Sequence, residues 1–179
     1  MTDPPPFAAA LPRTAREVER FAAAAGWDQP PQQFALVPTA ALLAGQPDLA
    51  GQLDAGAPLT PVAQESLPDS ELDAVLAGIE WPDAVAGCAV VQEIVVLPPD
   101  AEAAVAALPD DPEQARRAAA EHPQRREGRL VAAVLRDGPG ACVLRLRAGG
   151  PGSPHQDEDV VEDPDLAPNL LRALRDTLR

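Results

Sequence analysis

The chain has no lysine and no tyrosine, and among its 179 residues it carries two histidines, two cysteines, three phenylalanines and two tryptophans. Each scarcity removes a class of chemistry. Without lysine there is no Schiff-base nucleophile and no Walker-type phosphate lysine. Cys88 and Cys142 form no CxxC pair, so a cysteine zinc site is excluded. One disulfide is arithmetically available. However, both cysteines sit inside expected strands, and the first twenty residues have no cationic start followed by an apolar run. Buried free thiols and a cytoplasmic location are therefore expected. No window holds 18 apolar residues, which argues against membrane insertion. His122 lies at an expected helix end, where the dipole explains it, and His155 lies in an acidic loop. No serine sits in a G-x-S-x-G elbow, and Gly149, Gly150 and Gly152 open no βαβ unit. No catalytic residue, metal site or cofactor is assigned.

What is abundant is acid. The formal net charge is -14, and all fourteen cations are arginine. Nucleic-acid binding needs a basic footprint, so it is not expected. The one dense basic run, Arg125-Arg126-Glu127-Gly128-Arg129, reads as a solvated turn and strand entry. Hydrophobic residues make up 46 % of the chain, enough for a core, but one built from Ala, Val and Leu.

Residues 1–12, with Pro4 to Pro6, read as a flexible proline-rich leader. Thr14 to Glu17 fits a capping box, so a helix is expected over 15–25, burying Val18, Phe21, Ala22 and Ala25. Gly26 stops it and Trp27 plugs its end. Phe34 to Thr39 reads as a strand, Ala40 to Leu53 as a short helix broken near Pro47, and Leu59 to Gln64 as a weaker strand. Leu67-Pro68-Asp69-Ser70 starts a second amphipathic helix of about three turns, carrying Leu72, Val75, Leu76 and Ile79 at helical spacing. Cys88 to Leu97 is the clearest strand. An alanine-rich helix over 100–121 breaks around Leu108 to Pro112. Residues 128–136 and 141–147 form a hairpin about Asp137-Gly138-Pro139-Gly140, with Cys142, Leu144 and Leu146 buried and Val143, Arg145 and Arg147 wet. Residues 148–163 read as a mobile acidic Gly/Pro loop. His155 with Asp157, Glu158, Asp159, Glu162 and Asp163 reads as a solvated linker more readily than as a weak cation site. The final helix carries Leu166, Leu170, Leu171, Leu174 and Leu178 on one stripe. The expectation is one α+β domain over 13–179, a single antiparallel sheet with helices packed mainly on one face.

Three polar patterns remain as candidate binding residues. Trp27, with Asp28 and Gln29, and Trp81 each follow a helix end; they read as core plugs or as a shallow aromatic pocket at one edge of the sheet. Arg145 and Arg147, with Arg136 nearby, form an arginine ladder that pairs with acids such as Glu93 or receives an acidic ligand.

An ordered series of segments carries a resemblance. These are Gly26 to Pro31 leading into Phe34 to Thr39, Trp81-Pro82, Gly87 to Glu93, Arg129 to Gly138 and Pro164 to Leu170. Over residues 14 to 179 the chain resembles an uncharacterised actinobacterial family of small acidic soluble proteins. The resemblance implies a cytoplasmic bacterial protein and assigns no activity. The element order also resembles the fold of secretion chaperones, which is analogy of fold alone. The expected function is a non-enzymatic protein-binding, chaperone-like or regulatory module holding an unidentified protein partner, with a homodimer as one form it could take. The alternative is a small-ligand sensor or an enzyme built on Asp28, Glu93 and the arginines.

Overall fold

The computed structural model describes residues 6–68, 72–108, 111–149 and 157–179. Six strands form one open antiparallel sheet: β1 (Gln32–Pro38), β2 (Leu59–Ser66), β3 (Gly87–Val96), β4 (Arg126–Leu135), β5 (Gly140–Leu146) and β6 (Asp159–Glu162). Their order in space is β2-β1-β3-β4-β5-β6. The α-helices among the described residues are α1 (Pro6–Ala24), α2 (Thr39–Gly45), α3 (Leu72–Leu76), α4 (Pro99–Ala106), α5 (Pro112–Glu121) and α6 (Pro168–Thr177), with a 3-10 turn over Pro47–Gly51. The α+β class and the single antiparallel sheet agree with the sequence reading.

The layering differs from it. Helices were expected mainly on one face, and they cover both. α1 packs Leu11, Ala15 and Val18 against Val131, Ala133 and Val143 on one face. α3 and α6 pack Leu76, Leu170, Leu171 and Leu174 against Val90, Ala132 and Val134 on the other. β4 is therefore buried without a break from Gly128 to Leu135. A strand covered on both sides reads as a continuous apolar run, because neither parity meets water. For the same reason Val143, expected on a wet face of β5, is buried under α1.

The start of the chain also departs from expectation. α1 begins at Pro6, so from that residue the expected leader is helix, and Leu11 is 1 % exposed. Thr14 is not an N-cap: mid-helix, its hydroxyl donates to Ala10 O at 3.0 Å. Glu17 pairs with Arg13 one turn back instead of closing a capping box. Phe21, expected on the buried face, is 58 % exposed, in a T-shaped contact with Phe34. Part of the expected acidic loop is ordered as β6, paired through Val143↔Glu162 to Leu146↔Asp159. Among the described residues α3 covers Leu72–Leu76, a little over one turn of the helix expected there. The expectations for Pro4-Pro5, the Asp69-Ser70 helix start, the Pro109-Asp110 break and residues 150–156, His155 included, lie outside the described residues.

Close approach explains one glycine in the sheet. Gly87 stands opposite Leu135 at the end of β4, and a Cβ there would collide with the Val134 carbonyl.

Cys88 and Cys142 are buried and free. Both lie in the core under α6, where the Cys88 thiol meets Leu174 O and the Thr177 hydroxyl. Burial pushes the Cys88 pKa from 9.0 up to about 11, and that of Cys142 upward as well. This fixes a sign. Below pH 9 both states hold the thiol proton and stability is unaffected. As pH rises from 9.0 toward 11, the unfolded thiol ionises first, the unfolded state binds fewer protons, and stability falls. Urea midpoints measured below pH 9 and near pH 11 should show this loss, and Cys88→Ala should reduce it.

Candidate functional site

The site grows from the end of α1. Gly26 takes a left-handed φ of 84° and Asp28 one of 65°, so the chain turns sharply on either side of Trp27. Glu93 of β3 pins that turn, its two oxygens accepting the backbone N–H of Asp28 at 2.7 Å and of Gln29 at 2.8 Å. The Gln29 amide reaches back to Ala25 O at 3.1 Å and Trp27 O at 3.3 Å, satisfying carbonyls that the helix end leaves open. Asp28 and Gln29 thus have structural work at the turn, yet the Asp28 side chain remains 80 % exposed.

Below the turn lie arginines from two adjacent strands. Arg129 and Arg145 are directly opposed across β4 and β5. Like charges at that spacing repel. Glu19 of α1, itself 2 % exposed, descends between them. It accepts from Arg145 at 2.5 and 2.9 Å in a two-pronged pair, and lies 3.5 Å from Arg129. The hydrogen bonds that Arg145 donates to Glu19 push its pKa further up, so its charge is fixed. Arg129 donates to Gly26 O at 2.6 Å. Trp27 lies within reach of two guanidiniums, with Arg129 4.4 Å and Arg147 5.3 Å from its ring centre. Such stacking is worth roughly 0.5–1 kcal/mol at exposed sites and more when dry. The indole N–H donates to Glu158 at 3.2 Å, and Arg147 bridges Asp28 at 3.3 Å and Glu127 at 2.8 Å. The arginine ladder thus pairs with acids, as the plainer sequence reading holds, but with Glu19, Glu158, Asp28 and Glu127 in place of Glu93.

Of the seven sequence-derived binding residues, Trp27, Asp28, Gln29, Arg145 and Arg147 come together here. Trp81 and Arg136 do not. Arg136 directly follows the far end of β4, seven residues from Arg129, or about 23 Å of extended chain, and Trp81 sits beside it. Trp81 belongs to the α6 side, its indole N–H donating to the Thr177 hydroxyl at 3.1 Å. Arg136 gathers backbone carbonyls of Trp81, Pro82, Val85 and Leu178, tying the end of α6 to the segment before β3. The two tryptophans therefore line no common concavity. The basic run is likewise dispersed: Arg126 pairs with Asp159, Arg125 donates to His122 O, and Arg129 is buried.

Sequence reasoning missed Glu19, Arg129 and Glu158 as members of the cluster. Glu19 had a legible signal. It falls on the α1 face formed by Leu11, Ala15, Val18 and Ala22, where a lone carboxylate needs a cationic partner. Among the described residues no group of three or more His, Cys, Asp and Glu side chains is placed to hold a metal ion, and no helix is long and apolar enough to cross a membrane.

A family model described as PPA1309-like protein matches residues 11–179. No curated protein and no solved structure matches the chain.

Proposed function

The chain belongs to the PPA1309-like protein family, and because that description names no activity we propose, from geometry alone, that it is a non-enzymatic protein-binding module of a chaperone-like or regulatory kind. The carrying observation is Trp27. It is half-buried at the surface, held against two guanidiniums, and flanked by the exposed Asp28. Tryptophan and arginine at a shielded centre with a charged rim is the composition of an interface hot spot. The two free, buried thiols support a cytoplasmic location within this reading, and an actinobacterial source is proposed with it.

The partner is a protein, with a second copy of the chain as one candidate. Affinity capture from the host at physiological salt tests the reading. Wild type and Trp81→Phe should retain one partner in near-stoichiometric amount. Trp27→Ala and Arg147→Glu should lose it by about 30-fold or more, the effect of a hot spot of at least about 2 kcal/mol. Retention indifferent to both substitutions, or nothing retained by wild type, ends the proposal.

The alternative enzyme built on Asp28 and Glu93 has their proximity in its favour. It ranks second because both Glu93 oxygens already accept backbone N–H groups and hold the turn in place.

A further inference from the structure

We infer that the small cavity under the C-terminal half of α1 is a binding site for a carboxylate. The cavity holds about 60 Å³ and is bounded by Phe21 and Ala22 of α1, by Ala25 just past its end, and by Gln32, Glu93 and Arg129 of the sheet. Its volume suits an acetate-sized group, not a cofactor.

Arg129 carries the argument. Its side chain is 3 % exposed, and a buried guanidinium is stable only when its charge and its N–H groups are met. Among the described residues it makes one hydrogen bond, from Nη2 to Gly26 O. The carboxylate within 4 Å is Glu19, whose two oxygens are both held by Arg145. Among the described residues no fully buried side-chain nitrogen or oxygen lacks a partner. The nitrogens of Arg129 that make no such bond are therefore not sealed from accessible space, and this cavity is one space that the residue lines. Gln32, half-buried at the start of β1, brings an amide to the same wall. Glu93 lines the cavity as well, with its two oxygens accepting from the N–H groups of Asp28 and Gln29. A planar two-oxygen anion fits the guanidinium fork, and Phe21 and Ala22 offer an apolar wall for a short carbon tail. The site does not depend on the Trp27 surface having a partner.

The test is nitrogen-edited NMR of the full chain titrated with sodium acetate, against sodium chloride at matched ionic strength. Acetate should give saturable shifts at the Arg129 Nε–H and the Gln32 amide. Pivalate, with its bulky tail, should not. Ala22→Leu, which fills the cavity without touching the ion pairs, should weaken acetate by roughly tenfold or more, the worth of a charged hydrogen bond. Gln32→Leu should weaken it in the same direction. Shifts that never saturate, that chloride reproduces, or that pivalate matches overturn the inference, and these three need no variant to fold.

Discussion

Glu19→Ala is expected to cost about 3–5 kcal/mol, the penalty of leaving a buried charge without its counterion. The carboxylate is 2 % exposed and separates Arg129 from Arg145, which oppose each other across β4 and β5. Removing it leaves Arg129 with a carbonyl partner but, among the described residues, no carboxylate within 4 Å. In a domain of this size the loss corresponds to roughly 10 °C in Tm. Glu19→Gln should cost less, since the amide oxygen still accepts. The combined Glu19→Leu, Arg145→Met variant should cost much less than the sum of the single changes, because no charge is then orphaned at that pair. Chemical denaturation measures all of these. A loss below about 1 kcal/mol for Glu19→Ala would place the pair in the class of exposed bridges.

Leu11→Ala is expected to cost about 2–5 kcal/mol. Leu11 is 1 % exposed and packs in the core with Leu36, Leu59 and Ala133. The two readings of the first dozen residues separate cleanly on this substitution. A flexible leader tolerates alanine to within about 0.5 kcal/mol. Arg13→Ala is the matched control, since its pairs with Glu17 and Asp54 are exposed and should contribute little.

The parts of the fold legible in the sequence are those with one dominant signal. β3 and the β4–β5 hairpin announce themselves by β-branched runs and turn residues, and α6 by its leucine stripe. α1 hid its first turns because Pro6 and Pro12 argue against helix. Proline is tolerated at a first position, and the burial of Leu11 and Ala15 offsets the break inside. β6 hid because four residues with acids at both ends show no alternation, and its order comes from pairing to β5. The same holds for the site. Trp27, Asp28 and Gln29 stand out as polar and aromatic residues at a helix stop. What the local pattern does not show is which face of a two-faced sheet each arginine joins. Parity held part of that answer: Arg129 lies on β4 and Arg136 directly follows its last residue, seven positions on, an odd step that sets the two toward opposite faces. Glu158 had no such signal, because its contact with Trp27 spans 131 residues of chain.

The placement of the thiols has a consequence for measuring motion. Both cysteines lie on the side of the sheet covered by α6, and neither lies under α1. A thiol reagent present in excess therefore samples one side of the molecule. If the helix Pro168–Thr177 lifts before the rest of the chain unfolds, Cys88 will label faster than global unfolding allows, while amides in the part of the sheet under α1 stay protected from exchange. The molecule carries its own one-sided clock for sub-global opening, with no probe to be introduced.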